Sequence, residues 1–338
     1  MSALEITWYF VVLLLFAGYA VLDGFDLGAG LWGLFTRRGE DRKILLRAIG
    51  PVWDGNEVWL LAGAMALFGG FPAVFAGLFS GIYPAAMLII FALIFRAAAI
   101  EFRGYAGRAG REAWDAVFGV ASILTALLFG VALGNLVRGL PFDSSGAPAV
   151  NTLALLNPYA LLVGVTAVAA VSVHGALFLT LKTEGALKGR ADFRARRSWV
   201  FYFVLLIAVF VWSLLRFPYL LGNFKDYRVL LFVPVAAFGS LVAIRVFLRR
   251  AKYAKAFVWS GISIVLILLT GALGVFPRLA PALGDPQGGL TIANAASSER
   301  TLTVILIFAL VGMPLVLLYT GYAYRTFAGK IEADEAGY

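Results

Sequence analysis

The chain has 338 residues, of which 62% are hydrophobic and 14% charged, and its formal net charge is +9. Apolar runs of about 20 residues, the length that crosses a bilayer, recur along the whole chain, which excludes a soluble protein and predicts an all-α polytopic membrane protein. The positive charge does not indicate a nucleic acid partner, because Lys and Arg are enriched in the cytoplasmic loops of membrane proteins. Cysteine is absent, so disulfides, thiolate metal sites and iron–sulfur clusters are excluded as well.

Hydropathy predicts nine membrane spans, and the first starts at the N-terminus because that region lacks the basic segment and cleavage site of a signal peptide. The approximate bounds are 6–35, 50–70, 73–99, 114–136, 156–181, 197–217, 229–248, 255–275 and 301–325. Basic residues concentrate in alternate loops, with several after spans one, three and five and none after span two. The positive-inside rule therefore predicts an N-terminus outside the cell and a cytoplasmic C-terminus.

The loops predicted on the outer side, 137–155 and 276–300, are rich in Pro, Gly, Ser and Asn, which predicts turns and short irregular segments. No gap between spans is long enough for a soluble domain. Residues 1–330 are therefore predicted to form a single transmembrane domain, and residues 331–338 a short acidic cytoplasmic tail.

Gly28 to Gly33 matches the G-x-G-x-x-G pattern of dinucleotide sites. The segment follows no strand and lies inside a predicted span, so we reject a dinucleotide site. Gly24 and Gly28 instead predict a small-residue face that lets another helix approach closely.

Ionisable residues inside the spans are the informative set, because a carboxylate costs roughly 2.5–3.5 kcal/mol near the centre of a membrane helix. Asp23 and Asp26 lie in span one, and Asp54 and Glu57 in span two. Each pair has the spacing i, i+3, which places its members on one helix face. The remaining members, in spans three to five, are Arg96, Glu101, Asp115 and His174. All lie in the predicted cytoplasmic half or near the midplane.

Carboxylates stepped from the cytoplasmic face toward the midplane suit a proton-entry path, since buried acids can exchange protons near neutral pH. Structural alternatives stay open. Asp54 can be a helix N-cap with Glu57 as its capping partner. Asp23 and Asp26 can be acids paired with a basic residue such as Arg96.

Three further residues have structural interpretations. Arg96 can extend toward the membrane surface, or it can hold an acid ionised. Asp115 is interpreted as a first-turn acid that favours the helix dipole, and His174 as a packed or hydrogen-bonded helix residue. One His and four Met are a poor ligand set for haem. We therefore predict that this chain binds no haem or metal by itself and that a partner subunit carries any redox centre.

Three segments carry a family resemblance: Asp23-Gly-Phe-Asp-Leu-Gly-Ala-Gly30, Gly50-Pro-Val-Trp-Asp-Gly-Asn-Glu-Val-Trp-Leu60 and Phe95-Arg-Ala-Ala-Ala-Ile-Glu-Phe-Arg103. They resemble subunit II of cytochrome bd quinol oxidases, and shorter segments such as Thr291-Ile-Ala-Asn-Ala-Ala-Ser-Ser298 extend the likeness along essentially the whole chain. The resemblance implies two four-helix bundles plus a peripheral helix, in the bacterial cytoplasmic (inner) membrane.

The resemblance also implies partners and cofactors. A similarly folded subunit I would hold b-type haems and haem d, or a third b haem, and would oxidise quinol while O2 is reduced to water with cytoplasmic protons. Some members have a structural quinone in subunit II, and a small single-span accessory subunit and membrane lipid are further implied partners.

Residue by residue, Asp54 resembles the proton-path acid of the family. Glu101 occupies a position that is Asp in some members, and Glu57 one that is Gln in some. The predicted proton path comprises Glu101, Asp54, Glu57, Asp26 and Asp23. The predicted supporting residues are Trp53, Asn56 and Arg96.

Two other functions compete with an oxidase subunit. An ion-coupled secondary transporter would use membrane-embedded acids to bind a solute or cation, but the chain shows no repeat and no matched pair of broken helices. A purely structural scaffold would need none of the acids for turnover.

Overall fold

The structure, a computed structural model, describes residues 1–36, 39–143, 148 and 152–331, apart from the side chains of residues 286 and 287. Its α-helices are α1 (Ala3–Leu34), α2 (Gly39–Ile49), α3 (Trp53–Gly70), α4 (Pro72–Gly81), α5 (Tyr83–Phe102), α6 (Arg108–Arg138), α7 (Pro158–Lys182), α8 (Gly185–Arg216), α9 (Gly222–Asp226), α10 (Phe232–Arg249), α11 (Tyr253–Val275), α12 (Ile292–Ala295) and α13 (Glu299–Thr326). Four short 3-10 helices span Arg103–Tyr105, Thr152–Leu156, Pro218–Leu221 and Arg228–Leu231, and the strands are β1 (Arg278–Ala282) and β2 (Asp285–Thr291).

In this part of the chain eight helices are long and apolar enough to cross a membrane, and α3 with α4 forms a ninth candidate only as a pair bent by 115°. The predicted third span, 73–99, is therefore wrong at its start, because Pro72–Gly81 forms the separate helix α4 and the straight helix begins at Tyr83. Phe71 leaves helical geometry directly before Pro72, with φ −137° and ψ 65°. A residue that precedes proline is driven out of the α region, and this breaks the helix.

The helices form the predicted arrangement of two four-helix groups plus a peripheral helix. Helix α1 packs against α3 and α6, and α5 packs against α6. In the second group α7 packs against α8 and α11, and α10 against α11. The two groups meet where α7 crosses α1 and α6. Helix α13 contacts α3 and α1 from the side, and only Leu302 of it is buried.

Glycine allows the close crossing of α1 and α7. A β-carbon on Gly28 would overlap the carbonyl oxygen of Val171 and lie 2.7 Å from the α-carbon of Gly175. A β-carbon on Gly24 would meet His174 and Val171 at 3.7 Å, an ordinary contact. The predicted small-residue face is thus confirmed, and Gly28 is its critical member.

The sequence did not predict two regular elements in the loops, a helix and a β-hairpin. Helix α2 buries Leu45, Ala48 and Ile49 and carries its charged residues on the remaining, partly exposed surface, an amphipathic pattern too short to predict a span. Segment 276–300 was expected to be irregular, but β1 and β2 pair antiparallel within it. The backbone of Leu140 binds this hairpin, donating to Pro281 at 2.8 Å and accepting from Leu283 at 2.8 Å, so a segment distant in sequence satisfies its edge.

One end of the molecule carries α2, the start of α6, the turn between α7 and α8, and residues 327–331; we call it the basic end. Predicted residues 332–338 of the acidic tail, and residues 144–147 and 149–151 of the first outer loop, lie outside the described residues.

Candidate functional site

A buried cluster of ionisable residues joins α1, α3 and α5. Nη1 of Arg96 lies 2.6 and 2.7 Å from the two carboxylate oxygens of Asp23, and both side chains are fully buried. Its other terminal nitrogen, Nη2, lies 3.5 Å from the carboxylate of Glu57. Arg96 therefore does not extend to the membrane surface. It forms the cationic centre of the cluster.

Asp26 is held by a different partner. Nδ2 of Asn56 donates to Oδ2 of Asp26 at 2.8 Å and to the Leu22 carbonyl oxygen at 3.1 Å. The other carboxylate oxygen of Asp26 is buried and has no hydrogen-bond partner among the described residues. The structural alternative of an acid paired with Arg96 thus describes Asp23, whereas Asp26 is bound by a neutral amide.

The predicted path residues differ in exposure. Asp23 and Asp26 are fully buried, Glu57 is 19% exposed, and Asp54 and Glu101 are exposed in this chain. Asp54 lies one turn from Glu57 on α3 and within its electrostatic reach. The acids on α1 and α3 therefore step from the surface to the interior. The structure records no hydrogen bond that joins Glu101 to them within the described residues.

Two structural interpretations are wrong. Helix α3 has Val52 as its N-cap without a side-chain hydrogen bond, so Asp54 and Glu57 form no capping box. Helix α6 begins at Arg108, and Asp115 therefore lies two turns inside it and not in the first turn. The prediction failed because α6 extends beyond the apolar segment that hydropathy detects. Asp115 instead forms an ion pair with Arg103 at 2.5 Å.

His174 is confirmed as a hydrogen-bonded helix residue. Its Nε2 lies 3.0 Å from the Val21 carbonyl oxygen and its Nδ1 2.6 Å from the Ser260 hydroxyl. The ring stacks on Phe257 with centroids 4.6 Å apart. Both ring nitrogens are occupied, so the ring has no free nitrogen with which to ligate a haem iron. No group of His, Asp and Glu in the described part of the chain has the geometry of a metal site.

The sequence-based reasoning missed one residue of the site. The hydroxyl of Tyr324, near the end of α13, donates to Oδ1 of Asn56 at 2.8 Å. A Tyr at the end of a membrane helix is typical of the interfacial aromatic belt, so its position in the sequence does not indicate a contact with the cluster. Trp53, predicted as a supporting residue, packs on the apolar cluster around Phe25 and Phe178.

Sequence comparison identifies the family. A family model described as cytochrome bd terminal oxidase subunit II matches residues 4–327. The chain belongs to this family. Membership makes it one subunit of a quinol oxidase complex with a partner subunit I, in a bacterial inner membrane that it crosses several times.

Individual relatives match this subunit II over nearly its whole length. The cytochrome bd-I ubiquinol oxidase subunit 2 of Escherichia coli K12 is 32% identical, with 99% of this chain and 97% of that protein covered. The cytochrome bd ubiquinol oxidase subunit 2 of Bacillus subtilis is 32% identical, with 99% of each covered. A probable cytochrome oxidase subunit 2 of Haemophilus influenzae is 31% identical, with 98% of this chain and 96% of that protein covered.

The fold agrees with a solved structure. The structure of bd oxidase from Geobacillus thermodenitrificans matches with a TM-score of 0.81 at 20% identity, covering 96% of this chain and 99% of that one. At this identity the likeness concerns the fold. Together the comparisons favour an oxidase subunit over the ion-coupled transporter.

Proposed function

We propose that this subunit II supports the haem-bearing subunit I and lines a cytoplasmic path for the protons that O2 reduction consumes. The observation that carries the proposal is the imbalance of the buried cluster, where Asp23, Asp26 and Glu57 surround the single cation Arg96. The path enters at Glu101 and Asp54 and continues through Glu57 to Asp26. Asp23, the last predicted member, lies beside Asp26 as the counter-ion of Arg96.

Charge balance assigns different roles to the acids. Asp23 binds Arg96 through both oxygens, so it is the permanent counter-ion. Net charge is costly in hydrocarbon, and a second and third carboxylate beside the same cation therefore favour bound protons. Glu57 is partly exposed and touches Arg96, which suits exchange with Asp54. Asp26 has one free, buried oxygen, which suits a proton-carrying site.

The proposal includes the surroundings of this chain. The N-terminus lies outside, the basic end faces the cytoplasm, and residues 1–330 act as one membrane domain. The b-type haems and haem d, or a third b haem, belong to subunit I, where quinol is oxidised. The basic end supports this orientation, because it carries the Arg and Lys residues of the loops after predicted spans one, three and five, and also the exposed Asp54.

The test replaces the entry acid in the assembled complex. Asp54→Asn keeps the size of the side chain and removes its ability to carry a proton, so we expect oxygen-dependent quinol oxidation to fall by roughly 10²-fold, the lower end of the range for a lost proton-transfer group. The measurement is O2 consumption normalised to haem content. Glu112→Gln is the matched control, since Glu112 is an exposed acid of the basic end outside the cluster.

The outcomes separate the two remaining functions. A fall in turnover for Asp54→Asn, with full haem content and an unchanged Glu112→Gln control, supports the path. Wild-type turnover in Asp54→Asn, Glu57→Gln and Asp26→Asn alike supports a structural scaffold and rejects the path.

A further inference from the structure

A string of hydrogen bonds crosses three helices and ends on Asp26. Tyr324 on α13 donates to the Asn56 side-chain oxygen on α3, and the Asn56 amide nitrogen donates to Asp26 on α1, each at 2.8 Å. Asn56 is 1% exposed and Asp26 is fully buried. The peripheral helix, which is otherwise mostly exposed, therefore reaches the buried cluster through Tyr324.

The contacts of Asn56 allow one orientation of its amide. With the nitrogen toward α1, it donates to both Asp26 and the Leu22 carbonyl oxygen, while its oxygen accepts from Tyr324. The reversed amide would place its oxygen against the Leu22 carbonyl, two acceptors in contact. The Tyr324 hydroxyl completes this arrangement, because it supplies the donor that the Asn56 oxygen needs in a buried site.

The position of Tyr324 is itself fixed by the basic end. Its ring packs edge-on against Phe25 of α1, with centroids 6.3 Å apart. Just beyond α13, the Ile331 amide donates to the Lys182 carbonyl oxygen at 3.0 Å and Nζ of Lys182 donates to the Phe327 carbonyl oxygen at 2.5 Å. The end of α13 is thus attached to the end of α7, and the hydroxyl is held over Asn56.

We propose that Tyr324 is a positioning residue for proton exchange at Asp26, acting through Asn56. Asn56 binds Oδ2 of Asp26, so the proton that Asp26 carries is placed on the free oxygen, Oδ1. A hydrogen bond to the amide oxygen polarises the amide and strengthens its N–H as a donor to the carboxylate. Tyr324 thereby favours the ionised form of Asp26. This inference rests on the proposed function, in which Asp26 exchanges protons.

Other charged and titratable groups also act on Asp26, and the test has to leave them in place. They are Asp23 on the same helix, Glu57 on α3 and Arg96 on α5. On α7 the titratable group that faces α1 is His174, whose Nε2 lies 3.0 Å from the Val21 carbonyl oxygen. The substitution Tyr324→Phe alters none of these and keeps the ring contact with Phe25.

The experiment compares Tyr324→Phe with Tyr322→Phe in the complete oxidase complex. Tyr322 lies two residues earlier on α13 and is 69% exposed, so it is the matched control for loss of a hydroxyl from this helix. We expect the Tyr324→Phe complex to assemble with full haem content. Its pH profile of turnover should move to higher pH by roughly 0.1–0.7 unit, because the lost polarisation is about 10–30% of a hydrogen bond to a charged group. Tyr322→Phe should match the wild type.

An infrared measurement reads the carboxyl group directly. The carbonyl stretch of protonated carboxyl groups, followed against pH, should contain a component that Asp26→Asn removes. In Tyr324→Phe this component should titrate at higher pH by the same amount, and in Tyr322→Phe it should be unchanged. A general loss of structure would lower turnover without this matched shift.

The two proposals fail in different ways. Wild-type turnover in Asp26→Asn would reject a role for Asp26 in the proposed path. Reduced turnover in Asp26→Asn, together with wild-type pH profile and infrared titration in Tyr324→Phe, would overturn the role of Tyr324 alone.

Discussion

Arg96 and Asp23 form an ion pair with no solvent contact, in which one guanidinium nitrogen lies 2.6 and 2.7 Å from the two carboxylate oxygens. The pair joins α5 to α1 across 73 residues of sequence. A guanidinium cannot lose its proton in a protein, so its counter-ion has to stay in place. The pair is therefore a structural requirement for the cluster as well as a source of its charge.

Removing the counter-ion should destabilise the subunit. Asp23→Asn leaves a buried cation, and breaking such a pair costs about 3–5 kcal/mol. We expect the lower end of that range, because Glu57 still lies 3.5 Å from Arg96. The measurement is the yield of haem-loaded complex and its temperature of inactivation. The double variant Asp23→Asn/Arg96→Gln should recover part of the loss, and a single variant as stable as the wild type would contradict the prediction.

The proposed orientation can be tested with cysteines, since the chain has none of its own. A membrane-impermeant maleimide should label Ser2→Cys in intact cells in which the reagent can reach the outer face of the cytoplasmic membrane. It should label Glu112→Cys only after the membrane is permeabilised. Both native side chains are exposed, so accessibility reports the side of the membrane. Labelling of Glu112→Cys in intact cells would reverse the orientation.

The crossing of α1 and α7 should depend on Gly28. Gly28→Ala introduces a β-carbon that overlaps Val171 and lies 2.7 Å from Gly175, and both contacts are to rigid backbone. Overpacking of this kind costs about 1–3 kcal/mol, and we expect a matching fall in thermal stability of the complex. Gly33→Ala is the control, because a β-carbon on Gly33 of the same helix would meet nothing within 4 Å. Equal stability of the two variants would argue against a critical crossing at Gly28.

The attachment of the C-terminal segment should weaken at acidic pH. Nζ of Lys330 lies 2.5 Å from the carboxylate of Glu184, and its hydrogen bond lowers the pKa of Glu184 below the usual value. A lowered carboxyl pKa stabilises the folded segment above the unfolded pKa, and this contribution is lost as pH falls through the native one. The protection of residues 327–331 against hydrogen exchange, taken relative to the intrinsic rate at each pH, should therefore fall toward acidic pH.

Glu184→Gln provides the comparison for this pH effect. At neutral pH its C-terminal segment should exchange faster than that of the wild type, and at acidic pH the two should converge. Salt should reduce the difference, since both side chains are at least half exposed. A difference that persists at acidic pH would assign the attachment to other contacts, such as that between Lys182 and Phe327.

The sequence by itself determined the class of the protein and its helical fold, and it predicted which acids lie inside the spans. These properties follow from the transfer of each residue between water and hydrocarbon, which is a local quantity. Hydropathy along the sequence therefore predicted that Asp23, Asp26 and Glu57 lie inside spans. The basic residues of each loop predicted an orientation. The same local reasoning misplaced the start of the third span, because Pro72–Gly81 is as apolar as a true span.

Only the tertiary structure decided which side chains meet. Hydropathy does not report the rotation of a helix about its axis, so it could not assign Arg96 to Asp23 or Asn56 to Asp26. The contact of Tyr324 with Asn56 joins positions 268 residues apart and depends on how α13 lies against α3. Such contacts are set by packing between helices, which depends on the shapes of both surfaces at once. Single positions along the chain carry too little information to fix them.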